Sequence, residues 1–256
     1  MEPYLPNYLK GKNRRLVFDL LRERGQMSRA EITRDTGMSF PTAMKVVDAF
    51  LEKGLLVELD ETGPAAGAGR KGRLLRFEPG AYRAVGVECE GRFARVGLAD
   101  MAGGVQARET IELGDFARTR DLSPLAAAIR RMCAAANGAP VLGVCIGFPA
   151  NLDPDAAAIV SYAAMDIQQP TSFAQVFPAF WREVELPVYL ENDANLACEG
   201  EAFLRRGAGG AANMLYLSIG SGCGGAVRLD GKLRRGARCR AGEVGAMLLQ
   251  PALGAP

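Results

Sequence analysis

The sequence predicts an α/β protein in two parts, with a winged helix-turn-helix at the N-terminus and a layered α/β domain behind it. Two observations lead to this prediction. Residues 26–56 have the pattern of two short helices joined by a tight glycine turn, and buried strands alternate with helices after residue 81. At 256 residues the chain has room for a small module and one larger domain, which we place at 1–78 and 79–256.

Start and stop signals bound the two short helices. Ser28, with Glu31 three residues later, forms a capping box, so the first helix should begin at Ser28, and Gly37 should end it. Ser39 is expected to cap the second helix, which residues 53–54 close. The apolar positions of this second helix recur at helical spacing and must face a core: Ala43, Met44, Val47, Phe50 and Leu51.

A third helix and a hairpin complete the first part. The helix lies at 13–21, where Leu16, Leu20 and Leu21 can pack against the other two helices. Strands are predicted at 55–58 and 74–77, around a loop rich in glycine and alanine. Three helices followed by a basic hairpin make a winged helix-turn-helix.

Two groups of side chains in this part are suited to contact DNA. One group lies opposite the apolar stripe of the second helix and can contact base edges and a phosphate, and the other is a basic cluster at the hairpin that can lie on the backbone or in the minor groove. The predicted DNA contacts are Ser39, Phe40, Thr42, Lys45, Arg70, Lys71 and Arg73. The alternative is an ordinary three-helix domain with solvated charges, because helix-turn-helix geometry is not unique to DNA binding.

Composition limits the chemistry that the chain can perform. It has no histidine, and its six cysteines include no CxxC pair, so no metal site and no histidine base are predicted and the thiols should be buried. The net charge is only +2, with a mild positive excess up to residue 78 that weakly supports contact with nucleic acid. No apolar run is long enough to cross a bilayer and the charged N-terminus is no signal peptide, so we expect a cytoplasmic protein with no membrane partner.

The second part begins as an antiparallel meander and continues with alternating elements. The predicted strands are at 85–89, 93–99, 105–111, 141–147, 187–190, 214–219 and 226–229. The predicted helices are at 123–135, 173–184 and 192–205. Their alternation implies a layered domain with parallel strand pairing. A glycine loop at 220–225 could let backbone N–H groups approach an anion, although a glycine hairpin between two buried strands would look the same.

Polar side chains collect at two points near this loop. Residues 191–195, Glu-Asn-Asp-Ala-Asn, place carboxylates and amides where a strand is followed by a helix, which is a crevice position in α/β sheets. Residues 241–245 add Glu243 beside flexible backbone. Groups that can chelate vicinal hydroxyls next to a glycine loop suggest a site for a sugar or polyol.

These motifs resemble those of the ROK family (repressors, open reading frames and kinases), in its repressor branch. The resemblance covers residues 12–78 and about 83–249. Its most specific segments are ENDAN at 191–195, IGSGCGG at 219–225, DGKLRRGA at 230–237 and AGEVG at 241–245. The resemblance implies an actin-like, sugar-kinase-like fold for the second part.

The resemblance also implies roles for three residues. Asp193 would be the base that deprotonates a sugar hydroxyl in the kinases of the family, and Asn192 and Glu243 would contact the sugar. The alternative for Asp193 is a carboxylate placed at a helix N-terminus, where the helix dipole favours it.

The chain departs from the kinase pattern at several positions. Where kinases carry an Asp-x-Gly-Gly-Thr turn for ATP phosphates, residues 88–92 read Glu-Cys-Glu-Gly-Arg, and the charge of Glu90 would oppose a phosphate. Ala246 stands at the position of the family's sugar- and zinc-binding histidine, and Ala164 where the family often has a sugar-contacting asparagine. The zinc-binding cysteines and a second glutamate should lie beyond this point, so the ROK domain is expected to be shortened, either naturally or as a fragment.

We therefore expect a DNA-binding transcriptional regulator, a repressor of carbohydrate-related genes that responds to a sugar or sugar derivative. It would not be an enzyme and would use no cofactor, and its partners would be double-stranded DNA and further copies of itself in a homodimer or larger homo-oligomer. The alternative is a sugar kinase of the same family, with Asp193 as its catalytic residue. A third interpretation is a DNA-binding protein whose kinase-like part serves only for dimerisation.

Overall fold

The computed structural model describes residues 5–62, 73–205, 211–220 and 222–247. The chain divides into two compact units. The first extends to Arg83 and includes Asp100–Gly104, and the second contains Ala84–Ala99 and the chain from Val105 onward.

The first unit combines three helices with a three-stranded sheet. Its elements in chain order are α1 (Leu5–Arg24), β1 (Gln26–Ser28), α2 (Arg29–Thr36), α3 (Phe40–Glu52), β2 (Leu56–Thr62) and β3 (Arg73–Phe77). The strand order is β1-β3-β2, and both pairs are antiparallel. The three helices and the hairpin were predicted, but β1 was not, because a strand of three residues has too short a pattern to recognise.

Local capping explains the break between α2 and α3. The Ser28 hydroxyl accepts from the Glu31 backbone N–H while the Glu31 carboxylate accepts from the Ser28 backbone N–H, so the predicted capping box is confirmed. Gly37 adopts φ 67° and ends α2 as predicted. The prediction for Ser39 is wrong in one respect. Ser39 occupies the cap position of α3, but its hydroxyl is 2.8 Å from the Thr42 hydroxyl and makes no cap hydrogen bond.

The core of the first unit differs slightly from the predicted set. Residues Ala43, Val47 and Phe50 of α3 are buried as predicted. In α1, Leu21 is fully buried, but Leu16 is 44% exposed and Val17 takes the buried position. The prediction that Leu16 packs against the other helices is therefore wrong, because the face of α1 that contacts α2, α3 and the sheet is the one carrying Val17 and Leu21.

The second unit is built on a five-stranded sheet. Its first elements are β4 (Arg83–Glu90), β5 (Phe93–Asp100), β6 (Val105–Glu112), α4 (Phe116–Thr119), α5 (Ser123–Ala135) and β7 (Val141–Phe148). Three short strands follow, namely β8 (Asn151–Asp153), β9 (Ala158–Ser161) and β10 (Thr171–Ser172). Next come α6 (Phe173–Val176), α7 (Pro178–Glu183), β11 (Val188–Asn192) and α8 (Asp193–Leu204).

The order of the large sheet is β11-β7-β4-β5-β6. Strands β11 and β7 are parallel, as the alternation of strands and helices predicted, and β5 and β6 are antiparallel, as the meander predicted. Strands β8, β9 and β10 form a separate small antiparallel sheet that the sequence analysis missed.

The predicted helix at 173–184 is wrong as a single element. It is divided into α6 and α7 at Phe177, whose φ of −125° and ψ of 65° are not helical. The cause is Pro178, because a proline ring disfavours the helical conformation of the residue before it. Both segments remain buried through Phe173, Phe177 and Phe180.

A second small sheet contains the predicted glycine loop. Its strands are β12 (Met214–Ile219), β13 (Cys223–Leu229) and β14 (Lys232–Arg234), paired in that order and antiparallel. Strand β13 begins at Cys223 rather than at 226 as predicted, so Gly224 and Gly225 lie in the strand. The loop is a tight hairpin in which the Gly220 N–H donates to the Gly222 carbonyl at 2.9 Å. The hairpin alternative is the one the structure contains.

Strand β12 and one cysteine expose side chains at the surface of the described part of the chain. The apolar side chains of β12 are exposed, with Leu215 60%, Leu217 52% and Ile219 82% accessible.

The prediction that all thiols are buried is wrong for Cys223, which is exposed at the start of β13. Cys89 is buried, and its burial raises the pKa of the thiol to about 12. None of the described helices combines the length and apolar character needed to cross a membrane.

Candidate functional site

The predicted DNA-contact residues of α3 lie at its N-terminal end. Ser39, Phe40 and Lys45 are exposed, with Phe40 57% accessible, and Thr42 is partly buried. The opposite face of the helix carries the buried Ala43 and the rest of the apolar stripe. This end of α3 is therefore accessible to solvent.

The predicted contacts of the basic hairpin are only partly described. Arg70 and Lys71 lie outside the described residues. Arg73 is 62% exposed, and its guanidinium is 3.6 Å from the Glu58 carboxylate, which Arg29 also contacts at 2.5 Å. The hydrogen bond from Arg29 is the largest cause that lowers the pKa of Glu58. Exposed pairs of this kind contribute little to stability, so Arg73 can exchange Glu58 for a phosphate.

The ENDAN segment forms the junction between β11 and α8. Asn192 caps α8, because its side-chain oxygen accepts from the Asn195 N–H at 3.1 Å, and its Nδ2 donates to the Ala150 carbonyl at 3.3 Å. Asp193 is the first residue of the helix, where its carboxylate accepts from the Ala194 N–H at 2.9 Å. The Asn192 side chain is thus held by structural contacts, and the Asp193 carboxylate lies at the helix N-terminus, as the alternative interpretation of this residue predicted.

An ion pair between a buried carboxylate and a partly exposed arginine fixes this junction. The Glu191 carboxylate is 9% exposed and accepts from Nε and Nη2 of Arg235, at 2.8 and 2.5 Å. Its other oxygen accepts from the Asn192 N–H at 3.0 Å and from Asn195 Nδ2 at 3.1 Å. The sequence analysis named the segments that carry Glu191 and Arg235 but did not predict this pair. The signal was Glu191 itself, because a carboxylate at the end of an apolar strand needs a cation when it is buried.

Burial raises the pKa values of both carboxylates predicted to bind a ligand. Burial raises the pKa of Asp193, and the charge of Glu88 adds to the rise. Partial burial also raises the pKa of Glu243; Asp193 adds to that rise and Arg240 opposes it. The negative charge of Asp193 thus reaches Glu243. Each carboxylate can accept hydrogen bonds from a hydroxyl group.

Close backbone packing places the segment that carries Glu243. Gly242 has a φ of +92°, and a Cβ at this position would overlap the Gly225 carbonyl oxygen of β13. A Cβ at Gly245 would overlap the Cys223 carbonyl oxygen in the same way. Glycine at both positions lets the segment lie directly on the strand.

We expect Gly242→Ala to lower the free energy of unfolding by about 2 to 4 kcal/mol, because it combines an unfavourable φ with overpacking against backbone. Gly200→Ala is the matched control, since a Cβ there meets nothing within 4 Å and alanine is favoured in the helix α8. Urea denaturation of both variants measures the difference. Equal stability would show that the glycine is not required at 242.

The turn predicted to oppose ATP phosphates is acidic. Glu88 and Glu90 at the end of β4 share one cation, Arg95, at 2.9 and 2.6 Å. The Glu90 carboxylate also lies near the glycine hairpin, because a Cβ at Gly220 would be 3.5 Å from Glu90 Oε1. Two carboxylates on one arginine leave a negative charge at this turn.

The residues present do not fit the zinc that the family resemblance implies. In the described parts of the chain no three His, Cys, Asp or Glu side chains are grouped so that they could hold a metal ion. The chain also has no histidine, and a closed zinc site needs four nitrogen or sulfur ligands.

We expect elemental analysis of the purified protein to find no stoichiometric zinc. Protein refolded in the presence of zinc and then dialysed serves as the control for loosely bound metal. One zinc ion per chain after dialysis would contradict the prediction.

The chain belongs to the ROK family, whose model matches residues 84–254. Among its relatives, the xylose repressor of Caldicellulosiruptor bescii is 27% identical over 241 residues, which cover 93% of this chain and 58% of that protein. The glucokinase of Halalkalibacterium halodurans is 36% identical over 120 residues, 45% of this chain and 34% of that protein. The chain thus spans about three fifths of the length of the repressors that it matches.

Solved structures give the same fold. A ROK family transcriptional regulator, described as a homologue of the E. coli MLC protein, superposes with a TM-score of 0.73 over 95% of this chain and 61% of its own, at 19% identity. The ROK family glucokinase of Streptomyces griseus, in complex with glucose and AMPPNP, gives a TM-score of 0.52 at 27% identity, over 66% of this chain and 51% of its own. The actin-like, sugar-kinase-like fold predicted for the second part is therefore confirmed.

Proposed function

We propose that this protein is a DNA-binding transcriptional repressor of carbohydrate-related genes, and that the first unit is a winged helix-turn-helix. The observation that carries the proposal is the exposed N-terminal end of α3, presented by a capped turn after α2 while the rest of the helix is anchored in a core. This geometry presents a helix to the major groove. The match to xylose repressors over more than nine tenths of the chain supports it. Such a regulator acts in the cytoplasm, where the DNA lies.

The proposal places the end of the DNA-binding module near residue 78. It also assigns the residues that contact DNA. The recognition helix supplies base contacts through its exposed start, and the basic hairpin supplies phosphate contacts. The residues assigned to these roles are Ser39, Phe40, Thr42, Lys45, Arg70, Lys71 and Arg73.

The second unit supplies the response to a small molecule in this proposal. Asp193 and Glu243 line the ligand site, with Asn192 placed beside them at the cap of α8, and the related glucokinase of S. griseus, whose structure contains glucose, supports a sugar as the ligand. Binding of the sugar changes the spacing of two winged helices in a homodimer and loosens the hold on DNA.

A DNA-shift assay with a sugar titration tests the proposal. The full-length chain is first bound to a duplex selected from a random pool, and xylose, glucose and amino sugars are then added. Release of the DNA by one sugar, and no release in Asp193→Ala, is the expected result. DNA binding that no sugar changes would leave the third interpretation, a DNA-binding protein whose second unit serves only for dimerisation.

A sugar kinase is the second candidate, favoured by the position of Asp193 at the start of α8 and by the kinase relatives. The acidic pair Glu88 and Glu90 opposes it, because a phosphate would meet two carboxylates that share one arginine. An ATP-consumption assay with the same sugars distinguishes the two functions. Turnover that disappears in Asp193→Ala would contradict the proposal that the protein is only a regulator.

A further inference from the structure

One carboxylate in the first unit links the helix-turn-helix to the hairpin. Glu58 on β2 accepts from Arg29 Nη1 with Oε1 at 2.5 Å, and its other oxygen, Oε2, lies 3.6 Å from Arg73 Nη1. Arg29 is the first residue of α2, and Arg73 is the first residue of β3. Two arginines from different elements therefore meet the two oxygens of a single anionic group.

All three side chains of this triad, Arg29, Glu58 and Arg73, are accessible from solvent. Arg29 is 31% exposed and Glu58 33%, and Arg73 is more exposed than either. The hydrogen bond from Arg29 lowers the pKa of Glu58, so the carboxylate is ionised at neutral pH. Glu31, the acidic residue nearest to Arg29 in the sequence, instead accepts from the backbone N–H and the hydroxyl of Ser28. The triad thus carries two positive charges and one negative charge at an accessible surface.

A phosphate group can take the place of a carboxylate between two arginines. A guanidinium binds both anions through the same charge-assisted hydrogen bonds. Ion pairs that are exposed to this extent contribute little to stability, so exchanging Glu58 for a DNA phosphate costs little. Arg73 is one of the proposed DNA contacts, and the shared carboxylate brings Arg29 to the same place. The charge of Glu58 itself repels an approaching phosphate.

We propose that Arg29 is a further DNA contact of this protein and that Glu58 competes with DNA for the two arginines. In the free protein Glu58 holds the position of a backbone phosphate between Arg29 and Arg73. In the complex both arginines bind phosphate, and the charge of Glu58 limits the affinity. The limit applies to all duplexes, because a phosphate contact carries no sequence information. The inference rests on the proposed DNA-binding function and adds two residues to its interface.

Titration of labelled duplex with the full-length chain at several salt concentrations tests the role of Glu58. Glu58→Gln removes the charge and keeps a polar side chain of the same length. We expect it to tighten binding to selected and unrelated duplexes by about fivefold, the effect of removing one like charge about 4 Å from a phosphate in water. Glu52→Gln is the matched control, because Glu52 is exposed at the C-terminal end of α3, about 20 Å along the helix from its start. Screening at that distance should keep its effect below about twofold.

The same titration tests Arg29. Arg29→Gln should weaken binding to all duplexes and lower the slope of log K against log salt by about one, because one phosphate contact is lost. Arg29→Lys keeps the charge and should retain the slope. Arg76→Gln is the matched control, since Arg76 is an exposed arginine on β3 whose carboxylate partner, Glu78, is two residues away; it should leave the slope unchanged. Thermal melting of every variant checks that it is folded.

The possible results separate this inference from the proposed function. Weaker binding by Glu58→Gln would overturn the inference, because the carboxylate would then hold the hairpin in place rather than compete with DNA. An effect of Glu58→Gln no larger than that of Glu52→Gln, or an unchanged salt slope in Arg29→Gln, would also overturn it. In each of these cases the unmodified chain still binds its selected duplex, and the DNA-binding function stands. Failure of the unmodified chain to bind any duplex would overturn both.

Discussion

Two single substitutions in α3, Lys45→Ala and Thr42→Ala, should have the largest effects on DNA binding. Lys45 is exposed on the outer face of α3, and we expect Lys45→Ala to weaken binding to all duplexes by about tenfold and to lower the slope of log K against log salt by about one. The reason is that a lost phosphate contact no longer releases a counterion. Titration of labelled duplex at several salt concentrations measures both quantities.

Thr42→Ala should act differently from Lys45→Ala. Thr42 lies at the start of α3, so we expect a changed preference at one base position, by about 1 to 3 kcal/mol, with an unchanged salt slope. Lys53→Ala is the matched control, because Lys53 is an exposed cation at the other end of the same helix. If Lys53→Ala and Lys45→Ala weaken binding equally, the orientation of α3 on DNA assigned here is wrong.

Removing Arg235 should have the largest effect on the stability of the second unit. Arg235→Ala leaves the buried Glu191 carboxylate without its cation, and we expect the free energy of unfolding to fall by about 2 to 4 kcal/mol. Arg234→Ala, one residue earlier, removes an exposed arginine whose pair with Asp230 is 3.3 Å long, and should change stability by less than about 1 kcal/mol.

Chemical denaturation of the two arginine variants gives the comparison directly. If Arg235→Ala lowers the free energy of unfolding no more than Arg234→Ala does, then water or the remaining hydrogen-bond donors satisfy the Glu191 carboxylate. Arg235→Lys should fall between the two, because a lysine supplies the charge without the two N–H groups that reach Glu191 Oε2.

Local patterns in the sequence were enough to predict most elements. The capping box at Ser28 and Glu31 and the glycine end of α2 involve residues a few positions apart, and the helix α5 follows from its alanine-rich composition. The break at Pro178 had a local signal that was outweighed by the helical pattern around it. Strands of two to four residues, such as β1 and β9, were missed because so few residues do not establish a period.

Contacts between distant segments could not be predicted in the same way. Glu191 and Arg235 are 44 residues apart, and Arg240 and Ser161 are 79 apart, so nothing in their spacing indicates that they meet. The resemblance to the ROK family named Asn192, Asp193 and Glu243 as ligand contacts. It did not show that the Asn192 side chain is used to cap α8, which only the folded arrangement reveals.

Selection of bound DNA from a random duplex pool tests the central claim most directly, since it requires no knowledge of the target sequence. The full-length chain should enrich a common sequence and bind it at least about a thousandfold more tightly than unrelated duplex at physiological salt. The Thr42→Ala variant should enrich a different sequence. Recovery of no common sequence, with binding no tighter than to unrelated duplex, would contradict a sequence-specific DNA-binding regulator.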